Sequence, residues 1–222
     1  MEMAEHKETK AFEGQAGPID CVIEWPQAPI EGWALVLHPH PLYGGTRDNK
    51  VVTTLARACL QRNLVTLRPN FRGVGNSAGT FDHGKGETAD MQMLVEQFMQ
   101  AYPELAEKPW VLAGFSFGTA VAAQLQANLD DTIQDKSSVC GVPQILILVG
   151  TAVGRFQFRN IALSEGTLMI HGEVDEVVPF SEAMDFARQH EQPITVIPDA
   201  SHFFHGKLVA LKALVQQRLA TL

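Results

Sequence analysis

The stretch 110–125 constrains this chain more than any other. It opens on the apolar run Trp110-Val111-Leu112-Ala113, passes through Gly114-Phe115-Ser116-Phe117-Gly118, and leaves through the alanine-rich Thr119-Ala120-Val121-Ala122-Ala123. A strand must therefore end, turn and become a helix within five residues. In such a corner the serine hydroxyl projects above the carboxyl edge of a sheet. Gly114 and Gly118 flank it because a side chain at either place would collide with a neighbouring strand or helix. The N–H of Phe117 points into the same space from a helix N-terminus, where it can hold a developing oxyanion. The pentapeptide alone also fits an inert glycine-rich turn, so the rest of the chain has to decide.

The rest of the chain alternates strands and helices. Runs 33–38, 64–68, 144–149, 167–171 and 194–197 are apolar and of strand length, as strands buried on both faces are. Between them lie helical patterns: from a cap at Asp48 or Asn49 to about 62, then 86–102, 116–129, 180–190 and 204–219. Near the N-terminus, 11–14 and 19–24 read as a hairpin turning at Gly17-Pro18. Residues 1–10 read as a frayed polar segment, 130–141 as a surface loop and 153–166 as a short connection. Strands alternating with helices over short loops predict an α/β fold, a doubly wound and mostly parallel sheet of about eight strands. No linker divides the chain, so 11–222 is expected to form one domain.

Composition excludes several function classes. The net charge is -8 and the basic residues form no run, which argues against a nucleic-acid partner. No apolar run approaches the length of a membrane span, and residues 1–8 carry no secretory h-region, so a cytoplasmic protein without membrane insertion is expected. The three cysteines, Cys21, Cys59 and Cys140, lie far apart without metal-site spacing and are read as reduced, buried thiols. His38-x-His40 would place two rings on one strand face, but no cysteine or carboxylate stands at zinc spacing, so no metal is expected. Gly73-Val74-Gly75 is followed next by Gly79, which breaks the G-x-G-x-x-G spacing of a dinucleotide site.

Ligands in open α/β sheets sit outside the carboxyl ends of the strands. Ser116 follows one strand, Asp175 another and His202 the last. A serine hydroxyl needs a base to take its proton, an imidazole can do so, and a carboxylate can orient the imidazole. Glu173 and Glu176 compete with Asp175 as the acid, and His205 competes with His202 as the base. His205 falls inside the predicted helix, so the loop residue His202 is preferred. A second oxyanion donor belongs in the loop after His38. Pro39 and Pro41 have no N–H, which leaves His40 first and Leu42 second, with Gly44-Gly45 letting the loop turn tightly.

These motifs together resemble the α/β-hydrolase superfamily over essentially the whole chain. They are Leu37-His38-Pro39-His40-Pro41, Asn70-Phe71-Arg72-Gly73-Val74-Gly75-Asn76-Ser77, Gly114-Phe115-Ser116-Phe117-Gly118, Gly172-Glu173-Val174-Asp175 and Ser201-His202-Phe203-Phe204-His205-Gly206. More narrowly the chain is similar to small bacterial predicted hydrolases of a dienelactone-hydrolase-like subgroup. Dienelactone hydrolases proper use a cysteine nucleophile, whereas this elbow carries Ser116. Many relatives have His-Gly where this chain has His38-Pro39, so the second oxyanion donor stays open between His40 and Leu42. The resemblance implies that Arg72 ties its loop to its neighbours. Many relatives insert a lid between the sixth strand and the acid strand, but 150–166 is too short for one, so little or no lid and an exposed or shallow site are expected; Phe156 and Phe158 form a small flap or belong to the core.

The sequence thus predicts a serine hydrolase with a Ser116–His202–Asp175 triad and an oxyanion hole of Phe117 and His40. It would cleave an ester, thioester or related acyl bond of a small substrate without a cofactor. A rival reading is a non-catalytic protein of the same fold that binds a small molecule or a partner.

Overall fold

The computed structural model describes residues 6–134 and 141–222. One eight-stranded sheet has the order β1-β2-β4-β3-β5-β6-β7-β8. Its strands are β1 His6–Gly14, β2 Gly17–Trp25, β3 Gly32–Leu37, β4 Leu64–Pro69, β5 Trp110–Phe115, β6 Ile145–Val149, β7 Leu168–Gly172 and β8 Ile194–Ile197. β1 and β2 pair antiparallel, and β2 joins β4 antiparallel. From β4 through β3 to β8 every pairing is parallel. The helices are α1 Lys50–Leu60, α2 Lys85–Ala101, α3 Phe117–Gln134, α4 Val153–Phe156, α5 Phe180–Gln189 and α6 Leu208–Leu219.

The apolar runs behave as buried strands because alternate residues feed two cores. Trp33, Leu35 and Leu37 pack with Phe98 of α2 and Val121 of α3. Ala34 and Val36 pack on the other face with Leu55 of α1 and Leu211 of α6. Trp33 and Trp110 stand in register on β3 and β5 and stack at 4.5 Å, which locks the two central strands. The order reverses at β3, whose chain leaves for β4 on one side while β5 lies on the other. The carboxyl ends of β3 and β5 therefore open a crevice at the switch point.

Several boundaries differ from the sequence expectation. β1 reaches back to His6, so residues 6–10, read as frayed, are edge strand. Polar residues such as Lys7 and Lys10 suit an exposed edge that buries only Phe12. Gln15 and Ala16 make the hairpin turn, and Gly17-Pro18 instead opens β2 opposite Gly14 and Glu13. α3 continues to Gln134, beyond the expected end at 129, so part of the 130–141 loop is helix. α6 starts at Leu208 rather than 204, because Phe204 and Gly206 take positive φ values of 52° and 71°. The connection 153–166 holds the four-residue α4. Asn49, not Asp48, caps α1 by accepting from the Val51 N–H at 2.9 Å. Cys21 and Cys59 are buried thiols, while the reading of Cys140 lies outside the described residues.

Candidate active site

Ser116 sits between β5 and α3 with φ of 53°, a strained backbone for a residue with a side chain. Its N–H is held by the Val149 carbonyl at 2.9 Å. Its carbonyl accepts from the Thr119 N–H at 2.8 Å and from Thr119 Oγ1 at 2.5 Å. The corner closes only with glycine on either side. A Cβ on Gly118 would lie 2.6 Å from the Leu37 carbonyl oxygen, and one on Gly114 would lie 2.3 Å from that of Gly118. The absence of those two atoms lets the N-terminus of α3 approach the end of β3.

The three sequence-selected side chains meet. Ser116 Oγ lies 3.0 Å from His202 Nε2, and His202 Nδ1 lies 2.7 Å from Asp175 Oδ2. Asp175 follows β7 and His202 follows β8, so three loops at one end of the sheet deliver three side chains to one line. The other oxygen of Asp175 accepts from the Val177 and Val178 N–H groups at 2.9 and 2.7 Å. Burial opposes charge on Asp175, but the His202 hydrogen bond and these two amides outweigh it and hold the carboxyl below its ordinary pKa. Asp175 and His202 are buried, and Ser116 retains 8% of its surface.

The competing residues have other partners. Glu173 accepts from the Asp199 N–H at 3.0 Å, and Glu176 accepts from the His202 N–H at 3.2 Å. Both acids thereby fix the β7 and β8 loops to each other. His205 is an exposed turn residue, not the helical one the sequence pattern predicts.

The two histidines after β3 separate rather than share a face. His38 is fully buried, accepts from the Phe71 N–H through Nε2 at 2.8 Å and donates from Nδ1 to the Pro39 carbonyl at 2.6 Å. Burial pushes its pKa down to about 4 against the pull of that carbonyl, so it is a neutral tie between two loops. His40 is half-buried, and its ring lies 4.5 to 5.5 Å from those of Tyr43, Phe81, Phe117 and Phe156. Burial and the neighbouring His83 lower its pKa. Its Nδ1 accepts from the Leu42 N–H at 3.2 Å. That bond engages the Leu42 amide, while the His40 N–H has no acceptor among the described residues. Phe117 opens α3, so its N–H lacks an intrahelical acceptor. Gly44 turns the loop in a left-handed conformation, and the Gly45 N–H returns to the His40 carbonyl at 3.1 Å.

An open cleft of about 560 Å³ leads to Ser116, with Pro39, His40, Tyr43, Asn49, Val177 and Phe203 among its walls. Among the described residues, its lining holds no Lys, Arg, Asp or Glu. Phe156 joins the aromatic wall with its ring 4.9 Å from Phe117, whereas Phe158 faces outward. Arg72 donates two hydrogen bonds to Asp90 of α2, at 2.7 and 2.9 Å, and anchors its loop far more than it serves the cleft. A more polar depression of about 460 Å³ shares no lining residue with this cleft, and its Arg68 is engaged by Glu24 and Asp48. Sequence reasoning missed Tyr43, Asn49 and Phe203 as cleft walls and Thr119 as the brace of the elbow. Among these only Phe203, adjacent to His202, carried a positional signal.

Among the described residues, no helix is long and apolar enough to cross a membrane. A family model described as serine hydrolase (FSH1) matches residues 79–207, which include all three aligned side chains. The uncharacterized protein RP471 of Rickettsia prowazekii is 45% identical over 205 residues, covering 89% of this chain and 81% of that protein. The structure of XC6422 from Xanthomonas campestris, described as an α/β serine hydrolase without a lid, is similar at 34% identity and a TM-score of 0.83, covering 97% of this chain and 94% of that one. An α/β serine hydrolase homologue from Coxiella burnetii is similar at 35% identity and a TM-score of 0.81, covering 96% and 97%. The short 150–167 connection, with only α4 in it, agrees with a lidless α/β-hydrolase fold. The protein is a hydrolase enzyme, and the chain belongs to the serine hydrolase (FSH1) family.

Proposed function

We propose that the protein cleaves an ester, thioester or related acyl bond of a small, uncharged substrate through an acyl-enzyme. One observation carries the reading: the unbroken line from Ser116 Oγ through His202, at 3.0 Å, to Asp175, at 2.7 Å. Ser116 attacks the acyl carbon while His202 Nε2 takes the hydroxyl proton. The same nitrogen then returns that proton to the leaving group, and a water repeats the sequence to release the acid. Asp175 holds the imidazole with Nδ1 protonated and stabilises the imidazolium. The N–H groups of Phe117 and His40 receive the oxyanion. Neither has an acceptor among the described residues, and they belong to α3, directly after Ser116, and to the loop after β3, where His40 lines the same cleft as Ser116.

The cleft supports the substrate class. A wall without charged side chains offers a carboxylate or an ammonium group no partner to offset the cost of its desolvation. An open cleft without a lid favours short acyl groups over long lipid chains.

A fluorophosphonate probe tests this directly. It is expected to label the wild type at Ser116 and to leave Ser116→Ala unlabelled, with p-nitrophenyl acetate turnover falling to background in that variant. Undiminished turnover by Ser116→Ala would sink the assignment. A panel of acetyl and butyryl esters, thioesters and hemisuccinate esters tests the substrate class, with the anionic hemisuccinates expected to be the poorest.

A further inference from the structure

His171 lies in β7, four residues before Asp175, and is completely buried. Its Nε2 stands 2.9 Å from the Val178 carbonyl oxygen and 3.5 Å from Asp175 Oδ2. Its Nδ1 is buried and has no hydrogen-bond partner among the described residues. These three facts fix the tautomer. With the proton on Nδ1, the Nε2 lone pair would face a carbonyl oxygen and a carboxylate at once. With the proton on Nε2, the ring donates to Val178 and turns a positive edge toward Asp175. Burial also keeps the imidazole neutral, lowering its pKa against the pulls of Val178 and Asp175; His202 and Glu182 are the other titratable groups that act on it.

The Val178 carbonyl that accepts from His171 belongs to the residue whose own N–H donates to Asp175 Oδ1 at 2.7 Å. His171 thus holds from beneath the turn that holds the carboxylate. An apolar side chain of similar size would fill the same space and leave no orphaned nitrogen. The unpaired Nδ1 is explained if the Nε2–H is what the position needs.

We infer that His171 is a positioning residue for the acid–base pair: its Nε2–H fixes the Asp175–Val178 turn so that Asp175 meets His202 Nδ1. This rests on the Ser116–His202–Asp175 reading above. A carboxylate that swings away from the imidazole slows the chemical step without altering the cleft walls, since His171 lines no part of the cleft.

The test compares His171→Leu, His171→Gln and wild type, with rates normalised to sites titrated by the fluorophosphonate. Gln can return a side-chain N–H to the Nε2 position, and Leu cannot. We expect kcat per titrated site to fall about tenfold to a hundredfold in His171→Leu with KM little changed. His171→Gln is expected to recover most of the loss. Wild-type kcat per site in His171→Leu would overturn the inference, and so would a His171→Gln as impaired as His171→Leu. If His171→Leu does not fold, His171→Met replaces it as the donor-free partner of His171→Gln. A wild type that the probe leaves unlabelled would instead sink the triad reading, and this inference with it.

Discussion

The two sides of the cleft are built by different means. On one side the Asp175 and His202 side chains are aligned by hydrogen bonds that leave each a single useful orientation. On the other, the loop after β3 brings to the cleft a His40 N–H without an acceptor among the described residues, and its side chains hold that backbone in place. His38 ties the loop to Phe71, His40 packs among aromatic rings, and Tyr43 at the loop's tip is 87% exposed. In the proposed reaction the side chains come from the ends of β5, β7 and β8, and the backbone N–H groups come from the start of α3 and from the β3 loop. Removing a side chain should therefore be severe on the first side. On the second, only loss of the amide itself should be.

The largest expected effect is on the acid. Asp175→Asn should lower kcat/KM by roughly 10⁴-fold, because the amide favours the wrong imidazole tautomer. Glu173→Gln and Glu176→Gln should stay within about tenfold, since each contributes only a loop bond of the kind a neutral amide oxygen also accepts. Steady-state kinetics of the three variants separates the acids, and a Glu176→Gln as damaged as Asp175→Asn would reverse the assignment.

The second prediction isolates the amide. His40 has φ of -54° and ψ of 123°, values that proline adopts. His40→Pro therefore deletes the N–H with its backbone angles kept, while His40→Ala deletes only the ring. The proline variant should lose about 10²–10³-fold in kcat beyond the alanine variant. Equal rates for the two would move the second donor away from His40.

The third concerns the tie. His38 has a pKa of about 4 when folded, against about 6.5 for an unperturbed histidine. The unfolded chain takes up this proton first as pH falls. The stability due to neutral His38 is thus complete above pH of about 6.5 and is lost between there and about 4, amounting to about 3 kcal/mol. Urea melts at several pH values should show His38→Gln lacking that component of the acid slope. A slope identical to that of the wild type would mean that His38 is not neutral in the fold.

The smallest effect belongs to the rim. Phe203 packs edge-on against His202 at 5.1 Å and is 38% exposed. Phe203→Ala should raise KM a few-fold, about 1 kcal/mol of lost ring contact, with kcat retained. A large loss of kcat would show that the ring orients His202 as well.

The same division explains what could be read in advance. Ser116, Asp175 and His202 were legible because each carries its chemistry in its side chain and follows an apolar run at a recognisable strand end. The parallel sheet was legible because runs such as 33–37 and 145–149 are apolar at every position, as strands covered on both faces are. The polar start of β1 was not, because an edge strand needs only one buried residue and otherwise resembles a loose end. His171 was not either. In the sequence it is one more histidine at a strand end, and only packing shows its ring beneath the Asp175 turn.

The sequence by itself determined the alternation of strands and helices, the glycine-flanked corner at Ser116 and the order in which Ser116, Asp175 and His202 follow one another at strand ends. Those depend on local propensity, periodicity and residue type, which are properties of short stretches. The tertiary structure decided which amide of the 40–42 pair has no acceptor among the described residues, which of the acids Glu173, Asp175 and Glu176 faces the imidazole, and which histidines are ties. The Leu42 amide is taken by a bond two residues away whose ring is packed among aromatics from other loops, and the His38–Phe71 and His202–Asp175 bonds join loops tens of residues apart, which meet only once the sheet has brought the carboxyl ends of its strands together.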